Sequence, residues 1–200
     1  MRRKKSKCIM LALLLVFISG SLQVSAYELY GHKLTNGVGS SGKSVQKYYI
    51  GDGARTYSGE INTAMSDWMS TDTYYGSYYS TPINYKLTLT QSESKMDIYK
   101  SEIVNSYWAL TTWYEGSRST YVNAENSDWT WGKIELDSDF GLLSYNKRKA
   151  AIAHEMGHVM GLNHASTNSL MRSDIAVCKE DITKAQKDDV LGIRSIYGGK

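Results

Sequence analysis

Apolar residues recur along this chain in two rhythms, every second position in short runs and every third or fourth in longer ones. Strict alternation marks a half-buried strand, and the 3.6-residue rhythm marks an amphipathic helix. Residues 44–50 (SVQKYYI) alternate and are rich in β-formers, which predicts a first strand. Gly51-Asp52-Gly53 follows as a turn. Ser58 is placed to cap a helix whose stripe is Ile61, Ala64, Met65 and Trp68, spaced i, i+3, i+4 and i+7. That stripe reads as core. The Ser/Tyr-rich stretch 70–81 reads as a loop, with Tyr74, Tyr75, Tyr78 and Tyr79 as rim packing rather than a binding surface. Pro82, the only proline, precedes a second strand at 83–90. Further strands are predicted at 95–99, 107–114 and 131–137, the last with clear alternation (WGKIELD).

Ser144 caps a second long helix, which carries Lys147, Arg148 and Lys149 on an exposed face and runs into His154. Thr183-x-x-Gln186 has the form of a capping box. Val190, Leu191, Ile193, Ile196 and Tyr197 then give a closing helix its apolar side, and Gly198 ends it. The polar, glycine-containing stretch from Tyr27 shows no clear period. It reads as a loose N-terminal arm, 27–43, ahead of one domain at 44–200. No internal repeat or second domain is visible.

The first 26 of the 200 residues have a different character. Arg2, Arg3, Lys4, Lys5 and Lys7 are followed by an apolar run at 9–18 and by the small-residue site Val24-Ser25-Ala26. This is the pattern of a secretory signal peptide, residues 1–26, and the apolar run is short for a membrane span. The mature chain would begin at Tyr27 and hold 200 − 26 = 174 residues. That suits one domain, secreted and extracellular, with no membrane attachment after cleavage. Cleavage also changes the charge picture. The whole chain has 23 basic and 20 acidic residues; without the five basic residues of the leader the balance is 18 against 20, a net of −2. No basic patch remains that would suit nucleic acid. Of the two cysteines, Cys8 leaves with the leader, so Cys178 has no intramolecular partner. It reads as a small buried residue, with a metal-ligand role or an intermolecular disulfide as the alternatives.

One stretch carries chemistry: His154-Glu155-Met156-Gly157-His158-Val159-Met160-Gly161-Leu162-Asn163-His164. On a helix, His154 and His158 share a face one turn apart, so both imidazoles can reach one ion. Gly161 stops the helix and turns the chain, which can bring His164 back as a third ligand. Three protein ligands leave a tetrahedral position open, the pattern of a catalytic rather than a structural zinc. Glu155, next to the first ligand, is placed to act as general base. Three of the four histidines of the chain fall in this window. Three unrelated histidines on an ordinary helix would have no reason to keep these offsets.

The string H-E-x-x-H-x-x-G-x-x-H resembles the signature of the metzincin metalloproteases, which also place a methionine in a tight turn beneath the metal. Ser169-Leu170-Met171-Arg172 looks like that turn, with Met171 as a hydrophobic base under the histidines. Gly157 and Leu162 further resemble the matrixin branch, although Ala165 stands where that branch usually has Ser. The run from Gln186 through Asp188, Asp189, Gly192, Ile193, Ile196 and Tyr197 to Gly198 is similar to the last helix of matrixins.

The resemblance implies an α+β fold: a twisted, mostly parallel mixed sheet, two packed helices, and a C-terminal helix after the Met-turn. It implies a monomer with one catalytic zinc held by His154, His158 and His164, and hydrolysis of extended polypeptide lying along the sheet edge. It also allows structural calcium, whose scattered oxygen ligands leave no motif. A second zinc is not expected, because His32 is the only other histidine and lies far away in sequence. Ser173 occupies the position where some relatives carry a tyrosine. Residues 172–180 are expected to wall the specificity pocket. No cysteine lies between Tyr27 and the histidines to hold the enzyme latent through the metal. Two alternatives stand beside the endopeptidase reading: a secreted zinc-containing binding protein on the same scaffold, and a zinc hydrolase with a non-peptide substrate.

Overall fold

The computed structural model describes residues 27–40, 44–104, 107–165, 168–173 and 182–200. The expected leader and cleavage site, Cys178, and most of the expected pocket wall at 172–180 lie outside the described residues. Twelve named helices and strands follow in chain order: β1 (Glu28–Leu29), β2 (Gln46–Ile50), α1 (Ser58–Met69), α2 (Thr71–Tyr75), β3 (Tyr85–Thr88), β4 (Met96–Ser101), β5 (Ala109–Glu115), β6 (Thr120–Val122), β7 (Trp131–Asp137), α3 (Tyr145–Val159), β8 (Leu162–Asn163) and α4 (Lys187–Tyr197). Six strands form one sheet in the order β3-β2-β4-β7-β5-β6. The β3, β2, β4 and β7 ladders are parallel, while β5 runs antiparallel to both β7 and β6. The fold is therefore α+β with a mostly parallel sheet, as expected.

The core lies between this sheet and the helices. Ile61, Ala64, Met65 and Trp68 of α1 are all fully buried, each large side chain stabilising by roughly 1.5–3 kcal/mol. Trp68 also donates its indole N–H to the Ala153 carbonyl at 2.9 Å, which ties α1 to α3. The strand β7 has the predicted boundaries, and Ser144 caps α3 by accepting from the Lys147 amide.

Several expectations change. Ser58 is the first helical residue rather than the cap, because a 3-10 segment, Asp52–Tyr57, runs directly into α1. The 70–81 loop holds the short helix α2 and a 3-10 turn at Ser77–Tyr79. Within it Tyr75 and Tyr79 pack on the core, while Tyr74 and Tyr78 stay exposed. Arg148 and Lys149 do not form an open face: they pair at 2.7 Å with Glu60 and Asp67, two buried carboxylates of α1. Burial of a charge demands such a partner. The capping box lies three residues later than Thr183/Gln186. Gln186 is the N-cap and Asp189 the third residue of the helix.

The N-terminal stretch is not loose. β1 pairs antiparallel with β8, setting Glu28 against Asn163 and Leu29 against Leu162. Leu34 and Val38 are fully buried. Two anchors among glycines and polar residues are too sparse to show as a period.

Candidate metal centre and cleft

The helix α3 delivers His154 and His158 from its last two turns, and both are buried. Gly161, at φ +105°, then reverses the chain in a conformation that strains any residue with a Cβ. β8 follows, and His164 returns to face His158, their Nε2 atoms 3.2 Å apart. The potential ligand atoms of the three histidines all lie within 4.8 Å of one another. Among the described residues this is the one cluster of three or more His, Cys, Asp or Glu side chains close enough to share an ion. His32 instead stands 3.3 Å from Asp128.

The far nitrogens decide what the near ones offer. The Nδ1 of His154 lies 2.8 Å from the Leu170 carbonyl, and that of His158 lies 2.8 Å from the Leu162 carbonyl. A carbonyl only accepts, so both Nδ1 atoms carry the hydrogen, and both Nε2 atoms turn lone pairs inward. Burial holds the imidazoles neutral: it lowers His154 to about 4 and His158 well below its usual value, and desolvation also lowers His164. Converging neutral lone pairs are a cation site. Zinc–nitrogen bonds of about 2.0–2.1 Å put tetrahedral ligands about 3.3 Å apart, close to the observed 3.2 Å.

The Met-turn supports this from below. Met171 is buried, its sulfur packed against Gly157 between the two helical histidines. Its amide and that of Leu170 donate to Asp189 at 3.3 and 2.8 Å, and Ser169 bonds the same carboxylate through its hydroxyl. Asp189 thus caps α4 and fixes the loop whose Leu170 carbonyl orients His154.

Glu155 lies at the other side of the same space. Its carboxylate accepts from the Thr111 hydroxyl at 2.6 Å. Burial raises it to about 7, with the Thr111 contacts pulling the other way. A cleft of about 400 Å³ is lined by Glu155, the three histidines, Thr111, Ser173 and the aromatic residues Tyr30, Trp108, Trp113 and Tyr121. Along it the outer edge of β5 is open only at its first residues, because β6 pairs with Trp113, Tyr114 and Glu115.

The structure brings His154, Glu155, His158, His164 and Met171 together. It adds Thr111, Tyr30, Trp113 and Asp189, which the sequence reading missed as site residues. Only Asp189 had a local signal, its place in the run resembling the matrixin last helix.

The sequence model of the Matrixin family matches residues 83–198, more than half of the chain. Similar solved structures include two titled "Structure of myroilysin" and "Crystal structure of myroilysin". The first has a TM-score of 0.40 at 12% identity, covering 66% of this chain and 54% of that chain. The second has a TM-score of 0.47 at 12% identity, covering 86% and 94%. No curated protein matches.

Proposed function

This chain belongs to the matrixin family of metalloproteases, and we propose on that premise that it is a secreted zinc-dependent endopeptidase with Glu155 as its general base. One observation carries the reading: three imidazoles bring ring nitrogens within 4.8 Å of one another, two of them with lone pairs turned inward, and a buried carboxyl raised to about 7 shares their cleft. His154, His158 and His164 would hold the metal. Zinc held there supplies Lewis acidity toward a carbonyl oxygen and toward water.

Everything else is the work of this chain's own residues. Glu155 accepts a proton from the attacking water and passes it to the leaving amine. A carboxyl titrating near 7 suits both halves of that transfer, since it takes and releases a proton at little cost. Thr111 holds the carboxylate in place and favours its charged form. The substrate adds as a strand to the open edge at Ala109, Leu110, Thr111 and Thr112, using main-chain hydrogen bonds. Such binding selects extended segments of polypeptide. Secretion rests on the leader pattern of residues 1–26. Among the described residues no helix is long and apolar enough to cross a membrane.

The test is casein cleavage by the zinc-loaded mature chain, with and without chelator, for wild type and Glu155→Gln. Glu155→Gln keeps shape and the metal ligands but cannot take the proton. Cleavage should fall by at least about 10²–10⁴, with zinc content unchanged. Undiminished cleavage by Glu155→Gln would remove Glu155 as the base. A wild type that binds zinc and cleaves no polypeptide would favour the binding-protein reading.

A further inference from the structure

We propose that Tyr30 is a positioning residue for His158, and that the N-terminal segment carrying it braces the whole metal-ligand loop. The inference rests on the metal reading of the three histidines. The Tyr30 hydroxyl oxygen lies 3.0 Å from His158 Nδ1, the nitrogen whose hydrogen also reaches the Leu162 carbonyl at 2.8 Å. Nδ1–H is thus shared between two acceptors on different parts of the chain. One acceptor lets an imidazole swing about its bond to the backbone. Two acceptors fix the ring, and with it the direction of the Nε2 lone pair.

Tyr30 is itself held by the groups that hold the end of α3. Its ring meets Trp113 edge-on at 5.1 Å and Trp129 at 6.3 Å. The two indole N–H groups donate to the last carbonyls of the helix, Trp113 to His158 at 3.2 Å and Trp129 to Val159 at 2.9 Å. A helix end leaves such carbonyls without intrahelical partners, so the indoles cap them and set the backbone of His158. Side chain and backbone of one ligand are therefore referenced to a single aromatic cluster.

The same segment reaches the third ligand. β1 pairs with β8 immediately before His164, and the Tyr30 amide donates to the Gly161 carbonyl at 3.4 Å. Residues 28–30 thus lie against both the ring of His158 and the turn that returns His164. The expected leader cleavage after Ala26 would make Tyr30 the fourth residue of the mature chain.

The test compares the mature chain with Tyr30→Phe, which keeps the ring on its two tryptophans and removes only the oxygen. Zinc affinity is read by competition with a chromophoric chelator, and folding by thermal unfolding of the metal-free proteins. Partners of metal-ligating histidines are worth roughly 10–100-fold in affinity. With the Leu162 carbonyl still in place, Tyr30→Phe should bind zinc about tenfold more weakly, at an unchanged metal-free melting temperature. Tyr30→Ala, which also frees the indoles, should bind it more weakly still. If wild type binds zinc and Tyr30→Phe binds it equally well, Tyr30 is only a wall of the cleft and the proposal is wrong. If wild type itself takes up no zinc, the metal reading fails and the proposal falls with it.

Discussion

The sulfur of Met171 occupies the space into which a side chain at Gly157 would grow. A methyl there would also stand 3.1 Å from Met171 Cε and 3.4 Å from the Trp68 ring. Alanine would favour the helix by roughly 0.5–1 kcal/mol over glycine, but overpacking costs about 1–3 kcal/mol, so the collision wins. Gly157→Ala should lower the melting temperature at fixed zinc. In a Met171→Ala background the cost should largely vanish, because the obstructing sulfur is gone. A thermal double-mutant cycle measures this. Additive costs would show that the two residues do not share this space.

If Glu155 is the base, as proposed, Thr111 tunes the pH at which it works. The base must be ionised to accept a proton, so kcat/KM rises with pH through the pKa of Glu155, which burial lifts to about 7. The Thr111 hydroxyl donates to the carboxylate and so favours the charged form. Thr111→Val removes that donor and keeps the branched shape, and the pKa rises further. The acid limb of the pH–rate profile should move up by about one to two pH units, since a hydrogen bond to a charged group is worth about 1.5–3 kcal/mol. A bound cation lowers the Glu155 pKa in both proteins, so the quantity compared is the difference between the two limbs, not the position of either. An unmoved limb would mean that Thr111 does not tune the base.

Asp189 should be among the costliest positions to truncate. It is buried and accepts from the amides of Leu170, Met171 and Gln186. Each buried donor left without a partner costs about 1–3 kcal/mol. Asp189→Ala should therefore lose at least about 3 kcal/mol in denaturant unfolding. It should also weaken zinc binding, because the Leu170 carbonyl that orients His154 lies in the same turn. Stability lost with zinc affinity intact would separate the turn from the ligand.

Arg118 locks the β5–β6 hairpin to the loop before β4. Its guanidinium donates to the carbonyls of Gln91, Ser92 and Ser94 and, at 3.3 Å, to the fully buried Asp97 carboxylate. It does this from φ 67°, an uncommon conformation for a residue with a side chain. Arg118→Ala removes the cationic partner of that carboxylate and leaves it the neutral donors Gln91, Ser94 and Tyr99, so the loss should fall below the about 3–5 kcal/mol of a buried charge left alone. Limited proteolysis should then cut first within residues 115–120. A variant as stable and as resistant as wild type would show that Asp97 is satisfied by its other partners.

What was legible in the sequence was local. His154 and His158 are related by one helical turn and His164 by a glycine-ended loop, so letters alone place them together. Trp131–Asp137 alternates because one side of β7 meets the core. What was missed joins distant segments. Tyr30 and His158 are 128 residues apart, and Thr111 and Glu155 are 44 apart. Arg148 and Lys149 look solvated until α1 presents Glu60 and Asp67 to them. The letters Thr183-x-x-Gln186 fit a capping box, yet Asp189 wins the register because the Met-turn binds it as well.

The sheet stops short at both ends, with four residues in β3, Lys86 among them, and three in β6. An unpaired strand edge is a template on which another copy can nucleate a fibre, and self-templating segments run to roughly six or seven residues. Neither edge strand is that long. The stretch left open on β5 faces the cleft of Glu155. On the proposed function, a chain that adhered there would be cut and would leave, so the one open edge that invites backbone pairing beside Glu155 would not hold its partner long enough to seed a fibre.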